Sequence, residues 1–198
     1  MPRVAGQIDL SKNEAILDAA AEVMAERGFA APMEEIARRA SVSKQTIYNH
    51  YGSKAELVQA LCDRRVHDMT AALETPEGIA DPAQALATFA RRLLSKLLDS
   101  RAPTMAIRQN PAPDIARAVY EAGPRASRRK LAEFLQMETE AGRLGCPDPL
   151  EAAEFFAGMV LGSYQTAALL GVERPLDEAA IERLAQEASA RFMRAYAA

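Results

Sequence analysis

Between Ile36 and Lys54 the chain carries no acidic residue, and Lys44, Gln45, Thr46, Tyr48, Asn49 and His50 follow one another there almost without interruption. Lysine donates well to guanine and glutamine to adenine, and threonine can meet a thymine methyl group or a phosphate. Arg38, Arg39 and Lys54 add positive charge around them. These residues suit reading a nucleic-acid groove rather than making or breaking bonds. Catalysis finds little footing elsewhere. His50 and His67 stand at no metal-ligand spacing. The chain has no glycine-rich phosphate loop and no nucleophile elbow. No catalytic residue, metal or cofactor is therefore expected.

Such side chains need a rigid element to aim them. Ile36, Ala37, Val42, Ile47 and Tyr51 are apolar at spacings that suit two short helices folded on each other, with the break at Ala40 to Ser43. That is a helix-turn-helix. Ser43 is a good N-cap for the second helix, Lys44 to about Tyr51. Ile47 and Tyr51, four apart, share its inner face. Gly52 ends it, and Ser53 to Glu56 form a capping box that starts the next helix. The start of that helix is an anion site, reinforced by Lys54. Upstream, Ser11 to Glu14 read as another capping box, opening a helix to about Arg27 with Ile16, Ala20, Val23 and Met24 inward. Met1 to Leu10 are expected to be a loose arm.

The bulk properties agree with a helical protein. The chain has 198 residues, 49% of them hydrophobic, with no Trp. The abundance of Ala, Leu, Glu and Arg predicts an all-α protein. A net charge of −3 argues against a protein that coats nucleic acid without selection. Over residues 1–65 acids and bases balance, so the basic charge is local. Cys62 and Cys146 are too far apart to suggest a disulfide framework or zinc site. No basic-then-apolar leader opens the chain, which predicts a cytoplasmic protein. Phe155 to Val172 is uncharged but holds Ser163, Gln165, Thr166 and three glycines. A buried interface helix suits it better than a membrane span.

Beyond the helix-turn-helix, helices are predicted over about 54–73, 82–100, 114–123, 125–141, 149–170 and 177–196. A short one is expected around Met105 and Ile107. Thr75 to Gly78 read as a loop and domain boundary. The last two helices are apolar over so wide an arc that they ask for a second subunit. Gly158, Leu161, Gly162, Gln165, Leu169, Ile181, Leu184, Ala188 and Phe192 are the expected interface of a four-helix homodimer contact. Phe89, Leu93, Met105, Ile107, Tyr120, Phe134, Phe156, Met159 and Tyr164 are candidates for lining an adaptable apolar pocket, with Arg108 at a polar end.

Residues Ser11 to Leu61 resemble the N-terminal domain of the TetR family of bacterial transcriptional regulators. The resemblance rests on Ile16, Ala19 and Ala20, Gly28-Phe29, Ile36-Ala37, Val42-Ser43, Thr46 to Tyr51, and Ser53-Lys54. About Pro82 to Tyr196 resembles, more weakly, the AefR-like group of that family through Pro113 to Ala116, Tyr120 to Pro124, and Phe155 to Gly158. The resemblance implies an N-terminal three-helix helix-turn-helix domain, 1–53, and a larger ligand-binding and dimerisation domain, 54–198, with about nine helices in all. It implies that Lys44, Gln45 and Asn49 face bases while Thr46, Tyr48, His50 and Lys54 hold phosphates. The expected partners are a palindromic double-stranded operator, a small effector and a second copy of the chain. Repression relieved by ligand is the leading expectation. An activator, a ligand-independent regulator and a non-DNA interaction protein are the alternatives. The chain departs from the family before the second helix, where a Thr or Ser cap is usual: the loop Gly28 to Met33 is about one residue short, and Pro32 is expected at the first helical position. It also departs at the turn, where Ser41 takes a place usually held by Gly.

Overall fold

Helix-forming composition and a proline or a small polar cap at nearly every start produce a chain of helices. The computed structural model describes residues 5–99, 112–172 and 174–198. The order is α1 (Ala5–Arg27), α2 (Met33–Arg39), α3 (Lys44–Tyr51), α4 (Lys54–Thr70), α5 (Pro76–Ala80), α6 (Pro82–Leu98), α7 (Pro113–Tyr120), α8 (Ala126–Glu140), α9 (Pro149–Leu170) and α10 (Glu178–Ala195). A 3-10 turn, Ala71–Leu73, extends α4, and a π-helical turn, Glu121–Arg125, precedes α8. The only non-helical pairing among the described residues is a single bridge between Leu144 and Ala197. The fold is all-α, as composition predicts.

The described residues form two compact units, one of residues 5–64 and 112–122, the other of residues 65–99, 123–172 and 174–198. In the first, α1, α2, α3, the first part of α4 and α7 share a core. Ile16, Ala20, Val23, Ile36, Ile47, Leu57 and Val58 are fully buried there, and Ile115 and Val119 of α7 and Ala122 of the π-helical turn belong to the same cluster. In the second, α6, α8, α9 and α10 surround Phe89, Phe134, Phe156 and Phe192. The Phe156 and Phe192 rings meet edge to face at 5.0 Å, a favoured aromatic geometry.

Several boundaries differ from the sequence reading. α1 begins at Ala5, so Ser11 lies inside the helix instead of capping it. Thr75 to Gly78 are not an open loop. The Thr75 hydroxyl accepts from the Gly78 amide, Pro76 takes the first turn, and α5 forms. Pro32 serves as the N-cap residue of α2, with extended backbone and no side-chain bond, rather than as its first helical residue. The predicted stop at Gly123-Pro124 is a π-helical turn. Ser127 and Arg128 both donate to the Pro124 carbonyl, at 2.9 Å each.

Candidate nucleic-acid interface

The turn between α2 and α3 fixes the aim of α3. Val42 donates to the Ala37 carbonyl, and Ser41 takes φ +55°, in the left-handed region. A non-glycine residue rarely sits there, as expected for a position that the family usually fills with Gly. The Ser43 hydroxyl accepts from the Thr46 amide at 3.0 Å, which caps the helix. Ile47 is fully buried and Tyr51 nearly so. The Tyr51 hydroxyl donates to Asn13 of α1, so the inner face is held at both ends. At the far end Gly52 closes α3, and the Ser53 hydroxyl accepts from the Glu56 amide to start α4.

With that face anchored, the opposite face is presented to solvent. Lys44, Gln45 and Asn49 are exposed, and Thr46, Tyr48 and His50 are half-buried. Gln45 donates to the Asn49 side chain at 2.8 Å. The pair leaves further amide donors and acceptors on one surface, the pattern that adenine and guanine edges can match. Thr46 shares a 2.8 Å hydrogen bond with Ser43. Lys44 pairs with Glu34 of α2 and lies 5.8 Å from the Tyr48 ring centre.

Lys54 is placed differently from a free surface cation. Its ammonium is half-buried at the start of α4 and donates to the Ala31 carbonyl. Burial pushes it below the usual lysine range. A partly desolvated cation beside a helix N-terminus favours an anion as its next neighbour. Around this surface the unit is braced by ion pairs. Arg39 meets Glu22 at 2.9 Å and Glu26 at 3.1 Å. Arg64 meets Asp18 at 2.8 Å and Glu14 at 3.2 Å. Arg39 is thus turned toward α1, away from the role of a free positive charge.

The comparisons with known proteins agree with this geometry. Residues 16–61 match the bacterial regulatory proteins of the tetR family. Residues 84–198 match the AefR-like transcriptional repressor C-terminal domain, more than half of the chain. The chain belongs to the TetR family. It is a TetR-family DNA-binding transcriptional regulator. The chain is 28% identical over 155 residues to the uncharacterized HTH-type transcriptional regulator YvkB of Bacillus subtilis, covering 77% of this chain and 80% of that one. A TetR-family regulator structure from Mesorhizobium loti superposes with a TM-score of 0.74 at 27% identity, over 96% and 98% of the two chains. The flavonoid-responsive regulator FrrA superposes with a TM-score of 0.65 at 32% identity, over 94% and 97%.

The residues expected in the body are placed less simply. Phe89, Phe134 and Phe156 fill the core of the second unit, with Leu93 and Tyr164 packed against it. Met159 instead points to solvent from α9, and Tyr120, 58% exposed, belongs to the first unit. Met105, Ile107 and Arg108 lie outside the described residues. The described residues therefore do not gather one pocket from this set. An open groove of about 490 Å³ lies instead in the first unit, lined by Gln59, Pro113, Asp114, Arg117, Ala118 and Glu121.

Of the expected interface set, Gly158, Gly162 and Leu169 are exposed, and Gln165, Ile181 and Leu184 are half-buried. Leu161, Ala188 and Phe192 are buried in their own subunit's core, which leaves them no surface for a partner. The wide apolar arc of α9 and α10 is mostly satisfied within the chain, by α6 and α8. Sequence reasoning missed Phe155, which is 58% exposed one turn before Met159. Phasing the uncharged run from the buried Phe156 would have found it. No helix among the described residues is long and apolar enough to cross a membrane.

Proposed function

We propose that the protein is a homodimeric repressor that leaves a palindromic operator when a small, largely apolar ligand binds its body. The observation that carries the dimer is the outer face of α9. Phe155 and Met159, one turn apart, are exposed on its first segment beside Gly158, and Leu169 and Leu170 are exposed after the break at Gly162. Small residues let a second helix approach closely, and large apolar side chains grouped at the surface mark a contact surface. A two-fold copy of α9 and α10 completes four helices and covers those side chains.

Two heads related by this axis read two half-sites about one DNA turn apart, roughly 34–36 Å. Lys44, Gln45 and Asn49 take the base edges, and Thr46, Tyr48, His50 and Lys54 take the phosphates. The functional division falls near the start of α4, with residues 1–53 reading DNA and 54–198 binding ligand and partner. α4 is the lever, since it runs from one to the other. A ligand that prefers the mis-spaced arrangement of the heads releases DNA, and DNA must weaken that ligand by the same factor. FrrA is flavonoid-responsive, which supports a planar, largely apolar ligand as the first probe.

The test begins with duplexes selected from a random pool by the purified protein. Sedimentation should give a dimer for the wild type and a monomer for Phe155→Glu, with operator affinity lost alongside dimerisation. A flavonoid at saturation should lower operator affinity, and operator should lower flavonoid affinity equally. A dimer untouched by Phe155→Glu would refute the α9 interface. An operator affinity indifferent to saturating ligand would refute ligand control.

A further inference from the structure

The base-reading face is not free before DNA arrives. Lys44 opens α3, and its ammonium is held by the Glu34 carboxylate in the first turn of α2, with the Tyr48 ring on another side. Both charged partners are exposed, Lys44 at 48% and Glu34 at 63%. Glu34 therefore stands at the mouth of the surface that α3 offers to a groove. Other charged residues of this surface are spoken for elsewhere. Glu35 pairs with Arg27, and Arg39 with Glu22 and Glu26.

We infer that Glu34 is an intramolecular competitor of DNA: its carboxylate occupies the Lys44 ammonium, so each head must break this ion pair to place Lys44 on a base edge. Glu34 thereby sets the operator affinity from a position that touches no base. The inference rests on α3 being the DNA-reading helix. The carboxylate is acceptor-only, like a phosphate or the O6 and N7 edge of guanine, so it satisfies the same ammonium donors. The pair and the DNA contact exclude each other to the extent that Lys44 must turn away from α2 to reach a groove.

An exposed ion pair is a modest opponent, so the effect is a tuning of affinity rather than a block. Removing it should tighten binding roughly threefold per head, about tenfold for a dimer with two heads on one operator. The experiment is a double-mutant cycle on duplexes selected from a random pool by the wild-type protein, with scrambled duplexes of equal length as reference. Glu34→Gln should tighten operator binding by about that factor. In the Lys44→Gln background, the same Glu34→Gln change should have almost no effect, because the competition has already gone. Melting curves of each variant report any loss from the first turn of α2, which a purely structural role of Glu34 would move without producing coupling.

Equal tightening by Glu34→Gln in both backgrounds would overturn the inference, since Glu34 would then act by simple repulsion of phosphates. So would unchanged operator affinity in a wild-type protein that does select a duplex. A wild type that selects no duplex would remove the DNA-reading assignment of α3, and this inference with it.

Discussion

The two units of this chain are built on different terms. The first has a mostly aliphatic core, with Ile16, Ile36 and Ile47 fully buried, and a rim of ion pairs that pins α2 and α4 to α1. The second is packed around four phenylalanines, with the Phe192 ring also stacked 4.5 Å from Tyr196. The first keeps its chemistry on the outside, in side chains of α3 that the core does not need. The second spends its largest side chains on itself and leaves apolar side chains exposed on α9. One unit can thus be read residue by residue, because its working atoms are polar and aimed by a tight turn. The other works through surfaces that become complete only with something added.

That contrast can be broken most forcefully in the second core. Phe156 is fully buried between Phe89 and Phe192. Phe156→Ala should cost about 3–5 kcal/mol in chemical denaturation. A cost near zero would mean the aromatic cluster is already loose. The next effect lies on α3. Gln45→Ala should relax preference at one base pair by roughly 1–3 kcal/mol. Lys54→Ala should instead weaken operator and scrambled duplexes alike. Parallel behaviour of the two variants would erase the division between base and phosphate contacts. The smallest effect is at the turn. Ser41 in the left-handed region costs roughly 1–2 kcal/mol, and glycine gives back about 0.5–1 through its freer unfolded chain. Ser41→Gly should therefore raise stability by about 0.5–1 kcal/mol with operator affinity unchanged. A drop in melting temperature would show that the Ser41 side chain is needed there.

How much could be read beforehand follows the same divide. Ser43, Ile47, Tyr51 and Gly52 took their predicted places because cap, apolar spacing and C-terminal glycine are local signals, each acting within one turn. The exposure of Gln45 and Asn49 followed from them. The hydrogen bond between Gln45 and Asn49 follows from an i, i+4 spacing and was within reach of the sequence. The pairing of Lys44 with Glu34 was not, since it depends on the angle between two helices. The start of α1 was misplaced because a capping box was read where the helix had already begun. In the second unit, periodicity found the helices but not their neighbours. An apolar arc says that a helix is covered, not by which partner, so Leu161, Ala188 and Phe192 were assigned to a second subunit while their own core had claimed them. Gly162 shows the same limit. Its φ of 44° and ψ of −136° interrupt α9, a break that a stripe of small residues does not announce.

The placement of α7 bears on protein engineering. Ile115, Val119 and Ala122 share a core with Val58, Leu61 and Cys62, although the chain makes a long excursion between them. Swapping the N-terminal segment between regulators at a cut soon after the recognition helix would separate these two parts of one hydrophobic nucleus. A chimera that transplants residues 112–122 along with the donor's N-terminal segment keeps the nucleus intact, and should express in soluble form where the shorter graft aggregates.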